Sequence, residues 1–166
     1  MIPNPLHPAI VHFPIVFAVL LPLVTAGALW AIRRGTAARR AWTFPFILAG
    51  ALAVSAFVAV RSGESQEEPV ELVVGKGPLH SHEEAAELFL VLSGVMVLVA
   101  GIGLAPGVTG RAARAVATLG AIGLLGAGYR VGASGGDLVY RHGAASVYAT
   151  DAGPGNAPVS EEEGGQ

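Results

Sequence analysis

His7-Pro8-Ala9-Ile10-Val11-His12-Phe13-Pro14 opens a segment in which only His12 and Thr25 interrupt apolar character between Ile10 and Ile32. A helix of that length crosses a hydrocarbon core of about 30 Å. Two imidazoles therefore stand at the mouth of a membrane segment, where a histidine is costly unless it is hydrated, hydrogen-bonded or ligated. No Lys or Arg precedes Arg33, and the run is longer than the core of a secretory leader, so the stretch reads as a span. Pro14 and Pro22 each remove a backbone donor and crowd the carbonyl four residues back. They predict bends, which membrane helices tolerate where neighbours satisfy the freed groups.

Three further spans follow from the same pattern. With the first over about 10–32, they are predicted over about 42–60, 82–104 and 112–132. Trp30 and Trp42 flank a short loop carrying Arg33, Arg34, Arg39 and Arg40, as interfacial aromatics do. Pro45 falls in the first turn of the second span, where proline is tolerated. Ser81-His82-Glu83-Glu84 fits a capping box that opens the third span, and Pro106-Gly107 closes it. Between them, Val70 to Val74 suits a short strand or an interfacial turn. The fourth span is glycine-rich. Its Gly128 and Gly132 form a small-xxx-small pair that serves a homodimer as readily as internal packing. Residues 151–166 are rich in Gly, Pro and Glu and predict a disordered tail. The fold class is thus all-α, a polytopic four-helix membrane bundle over residues 1–150.

Composition agrees. The 166 residues are 52% hydrophobic and 13% charged, well below the charged fraction of a soluble domain. The absence of cysteine excludes disulfides, thiolate metal sites, covalent c-type haem and a cysteine nucleophile. A net charge of −2 gives no footprint for nucleic acid. The lipid bilayer is the expected partner. All 12 acidic residues follow Gly63, whereas the two short loops with Arg33, Arg34, Arg39, Arg40, Arg111 and Arg114 hold no acid. Short Arg-rich loops stay cytoplasmic, so both termini are expected outside a bacterial cytoplasmic membrane. All five histidines then share the outer layer.

Neutral imidazole ligates iron, copper and zinc, and two imidazoles on facing helices hold a b-type haem without a covalent link. In a regular helix His7 and His12 point ~140° apart and do not enter one small site together. Pro8 suits the first helical position, which puts His7 at the rim and His12 inward. His80 would precede the cap of the third span and stay hydrated, leaving His82 as the ligand there. His142 follows Gly135-Gly136 on what reads as irregular backbone, able to fold over the bundle mouth. The expected haem-binding set is His7, His12, His82, His142 and Arg130. For a transition metal it is the same histidines with Glu64. His12 and His82 are the first ligands, with His7 and His142 as the second pair. Arg61, Arg130 and Arg141 lie at propionate depth. The role implied is electron transfer with a cytochrome or other redox partner.

Blander roles compete. Glu64, Glu67 and Glu68 suit a solvated acidic loop, Arg130 suits a snorkelling side chain, and the glycines suit packing. A cofactor-free structural or assembly protein, with histidines hydrogen-bonded across the outer cap, is the alternative. An outward pH or metal sensor is a third. No enzyme class is supported. His82-Glu83 lacks the second histidine of a zinc-protease helix, Ser55 and Ser93 have no histidine at matching depth, and no charge or inverted repeat marks a transporter.

These motifs carry a resemblance. His7-Pro8-Ala9-Ile10-Val11-His12-Phe13-Pro14-Ile15 resembles the opening of a family of bacterial membrane proteins catalogued as domain of unknown function 2231. Gly63-Glu64 with Glu67-Glu68, His82-Glu83, and Gly135-Gly136-Asp137-Leu138-Val139-Tyr140-Arg141-His142-Gly143 are similar to its later motifs. The resemblance covers residues 5 to about 148 and implies four membrane helices. Relatives joined to cytochrome-like modules imply redox work. That association names no ligand.

Overall fold

The computed structural model describes residues 7–65 and 67–149. In chain order the helices are α1 (His7–Ile10), α2 (His12–Arg33), α3 (Ala38–Glu64), α4 (Glu67–Val74), α5 (Lys76–Ile102), α6 (Gly107–Tyr140) and α7 (Ser146–Ala149), and the described residues contain no strand. Four segments are long and apolar enough to cross a membrane: His7–Arg33, Ala38–Glu64, Lys76–Ile102 and Gly107–Tyr140. The expected all-α architecture is therefore the observed one. The predicted tail, 151–166, lies outside the described residues.

The spans form a ring. α2 packs on α3 and α6, and α5 packs on α6 and α3, so α2 stands diagonally opposite α5. Small side chains line the middle: Ala18, Ala49, Ala56, Ala117 and Ala121 are all buried. Large ones point out, with Leu23, Phe44, Leu98 and Leu119 each at least 66% exposed. This inverts the water-soluble pattern. Lipid solvates leucine as well as another leucine does, so helices gain by close backbone approach across small residues.

Element ends depart from expectation for local reasons. Pro14 lacks the N–H that would reach the Ile10 carbonyl, and the first span is interrupted at Val11; α2 continues unbroken through Pro22. Val70 to Val74 belongs to the helix α4, neither strand nor turn. α5 starts at Lys76 after Gly75, whose φ of 78° suits glycine alone among common residues. Pro78 then falls in the first turn, where no donor is needed. Ser81 is consequently inside the helix and the capping box does not form. α6 runs through Gly135 and Gly136 to Tyr140, because in hydrocarbon a helix keeps its ladder of bonds where water would let glycine break it.

The end of the bundle remote from the histidines is tied by two side chains that sequence patterning assigns to the interface. Trp42 is fully buried and donates its Nε1–H to the Ala100 carbonyl at 3.0 Å. Arg114, expected in a basic loop, is buried in α6 and donates to the carbonyls of Gly103 (2.6 Å) and Ala105 (3.5 Å). It satisfies acceptors at the end of α5 that have no helical partner. Trp30 does behave as an interfacial aromatic: it is exposed, with the Arg34 guanidinium 5.2 Å from its ring.

Gly103 fits against the Trp42 indole so closely that a Cβ there would overlap ring atoms. Gly123 has open space around it. Gly103→Ala is therefore expected to destabilise the bundle by about 1–3 kcal/mol, as over-packing does. Gly123→Ala should stay within about 0.5 kcal/mol of the parent. Unfolding in mild detergent, followed by Trp fluorescence, compares them.

Candidate functional site

At the opposite end two histidines are built into helix–helix contacts. α1 packs on α3 and brings His7 Nδ1 to 3.0 Å from the Ala59 carbonyl and 2.9 Å from Ser62 Oγ. A carbonyl only accepts, so Nδ1 carries the proton. Ser62 Oγ donates its own hydrogen to the same Ala59 carbonyl at 2.8 Å, so its oxygen is free to accept from the ring. In the neutral imidazole this leaves a lone pair on Nε2.

His82 repeats the arrangement in the second pair of spans. Its Nδ1 lies 2.9 Å from Ser134 Oγ. Ser134 Oγ donates to the Val131 carbonyl at 3.0 Å, so it too accepts from the ring and Nε2 again holds the lone pair. Both rings rest on bare backbone: a Cβ at Gly63 would lie 3.2 Å from His7 Cε1, and one at Gly135 would lie 3.1 Å from His82 Cε1. Both rings are half-buried and lie within electrostatic reach of each other. A small cluster of Val74, Leu79, Leu138 and Ala144 sits one turn beyond His82 and Ser134, closing that side of the layer.

The other sequence-derived candidates do not join this pair. His12 is exposed on the outside of the bundle, so the expected orientation of His7 and His12 is reversed. The helical phase is set by the buried Pro14, Ala18 and Leu21. His7 shares their face, and His12 shares that of the exposed Val16, Val19 and Leu23. His142 is exposed just past a longer α6 than expected, and does not fold over the mouth. Glu64 is exposed and accepts from Arg61 at 2.9 Å. Arg141 lies 3.3 Å from Asp137. Arg130 is exposed, with no ion-pair partner recorded among the described residues. His80 faces Glu84 at 3.3 Å and Glu83 at 3.9 Å on the surface of α5; it lies within the helix and not before its cap, because α5 starts at Lys76. Among the described residues no group of three or more His, Asp or Glu side chains converges as a metal ion would require.

Sequence reasoning missed Ser62 and Ser134. Ser-Gly occurs three times, as Ser62-Gly63, Ser93-Gly94 and Ser134-Gly135; the first and last are set apart only by lying at the histidine end of α3 and α6.

Comparison with known proteins agrees with this architecture. The model of a family described as predicted membrane protein, DUF2231, matches residues 3–147. The chain belongs to this family. No curated protein and no solved structure matches it. DUF2231 membership covers every element that builds the histidine pair and accords with four apolar helices in a bilayer.

Because His7 is tied into α3 and His12 is not, the two should respond differently to truncation. His7→Ala is expected to cost roughly 1–3 kcal/mol, from the lost hydrogen bonds to α3 and the lost packing of the ring against it. His12→Ala should stay within about 0.5 kcal/mol. Chemical unfolding in detergent micelles measures both.

Proposed function

We propose that this DUF2231 protein carries a b-type haem between His7 and His82 at the outer end of its bundle and passes electrons to a redox partner, such as a cytochrome, in or at the membrane. The observation that carries this is the matched pair of half-buried imidazoles. Each has Nδ1–H held by an acceptor on the neighbouring helix and a lone pair on Nε2. Orientation of that kind fixes the tautomer and raises the basicity of the ligating nitrogen. Haem fits this donor set better than a bare ion does. The porphyrin supplies four of the iron's ligands, so two imidazoles complete the site, whereas a zinc or copper ion needs three or more protein ligands.

When bound, haem supplies one-electron chemistry whose potential depends on ligation and burial. The residues of this chain supply the rest. His7 and His82 coordinate. Gly63 and Gly135 let each ring lie against a helix backbone. Arg130 is a cation at the same end with no ion-pair partner among the described residues, suited to a propionate. The two Arg-bearing helix connections, around Arg33–Arg40 and at Arg111, favour the cytoplasmic side. This puts the histidine end, with both termini, on the outside of a bacterial inner membrane.

A second role, a cofactor-free structural protein, has its own support: both Nδ1 atoms are already satisfied within the bundle, and among the described residues no buried side-chain polar atom lacks a partner. The two separate cleanly. The full chain, expressed with haem supplied and purified in mild detergent, is expected to show haem bands in a reduced-minus-oxidised spectrum. His7→Ala and His82→Ala should each lose them, while His12→Ala and His142→Ala keep them. Parent protein without haem bands, by spectrum and by extraction, rules the haem assignment out. Bound metal without porphyrin would move the assignment to a bare ion.

A further inference from the structure

The two histidine sites are related by more than local likeness. The displacement along the chain that carries His7 to His82 also carries Pro14, Ala18, Leu21 and Thr25 to Phe89, Ser93, Met96 and Ala100. All eight are buried. The displacement that carries Ser62 to Ser134, shorter by three residues between the paired spans, carries Trp42, Pro45, Ala49 and Leu52 to Arg114, Ala117, Ala121 and Leu124. All eight of these are buried too. It also carries Ala59, whose carbonyl accepts from Ser62 Oγ, to Val131, whose carbonyl accepts from Ser134 Oγ. Helical periodicity alone would allow a slip of two turns; the His, Ser, Gly and carbonyl positions remove that freedom. The packing agrees. Exchanging α2 with α5 and α3 with α6 turns each neighbour pair of the ring into another neighbour pair.

We infer that the bundle is two parallel copies of one helical hairpin about a pseudo-two-fold axis, and that His7–Ser62–Gly63 and His82–Ser134–Gly135 are equivalent half-sites in which Ser62 and Ser134 are positioning residues that aim each Nε2 at one shared ligand. The shared ligand rests on the haem assignment above. The equivalence of the half-sites does not. Each serine receives the ring proton because its own hydrogen is committed to the carbonyl three residues back. The ligand class that suits such a pair accepts two neutral nitrogen donors from two helical walls, as a planar metalloporphyrin does through its axial positions.

Ring-nitrogen NMR of the full chain, labelled at histidine and held in mild detergent, tests the half-sites without any cofactor. His7→Gln and His82→Gln assign the signals. The parent should show both rings neutral with the proton on Nδ1. Ser62→Ala should shift the His7 signals and spare His82. Ser134→Ala should do the reverse. Ser62→Thr and Ser134→Thr, which keep the hydroxyl, should restore each parental signal, with helicity by circular dichroism unchanged throughout. Rings that ignore the serine substitutions, or alanine effects that threonine fails to reverse in a helical protein, would overturn the inference. If haem is bound, both alanine variants should raise its midpoint potential, since each removes an acceptor that strengthens the ligand; opposite signs would break the equivalence. If no haem is bound and the ring effects hold, the proposed function fails and the half-sites stand.

Discussion

Apolar helices gain little by leaving lipid for one another, and everything else in this bundle follows from that constraint. What holds them is close contact across small side chains, together with hydrogen bonds whose alternative in hydrocarbon is no bond at all. The alanine-lined interior supplies the first. The second is concentrated at the two ends. Trp42 reaches the Ala100 carbonyl and Arg114 the Gly103 carbonyl at one end. His7 reaches Ala59 and Ser62, and His82 reaches Ser134, at the other. The donors at the histidine end use carbonyls or hydroxyls already attached to a helix ladder. They link helices without leaving a polar atom stranded, and polar atoms stranded in a low-dielectric layer are costly.

A histidine used in this way is not used up. Tying Nδ1–H to a neighbouring helix costs the ring one nitrogen and fixes what the other can do. His142, exposed at the surface, has no such tie to a neighbouring helix among the described residues. A ring held over Gly63 or Gly135 keeps its lone pair in a constant direction. The contact that closes the bundle and the contact that prepares a ligand are therefore the same contact. The cofactor-binding role proposed above would use these same contacts and add only Nε2 to them.

The four spans were legible because length and hydropathy alone set them. Their ends were less so. The rule that makes Gly135-Gly136 a break assumes water as the alternative partner for the backbone, and near a membrane α6 continues through its glycines. The phase of the first span was misread for a related reason. Pro8 places a helix start correctly, yet it says nothing about which face turns inward. In water the polar face turns outward, which gives no guidance when nearly every residue is apolar. Size does give guidance. Pro14, Ala18, Thr25 and Ala28 are small or compact and face in, whereas Phe13, Val16, Leu20 and Leu23 are large and face out. Read by size, the same residues assign His7 to the interior and His12 to the lipid side. Trp42 escaped for the opposite reason. A tryptophan at a span end reads as an interfacial anchor, and only the bare backbone of Gly103 on another helix makes room for it inside.

Parallel duplication has a consequence that an inverted one would not. Copies of a hairpin related by an axis in the membrane plane would put one imidazole at each surface, too far apart to share anything. Copies related by an axis along the membrane normal bring both to the same surface, on diagonally opposed helices whose faces meet at the centre of the ring. The sequences of the halves have diverged enough that Trp42 answers to Arg114 and Ala18 to Ser93. Even so, the elements that orient the rings are the ones kept in both: a histidine near the start of the first span, and Ser-Gly near the end of the second. Packing needs only that these positions be small or able to bond. Two imidazoles held in the same tautomer at the same depth is a narrower condition than packing imposes. The shared ligand proposed above would account for that added narrowness.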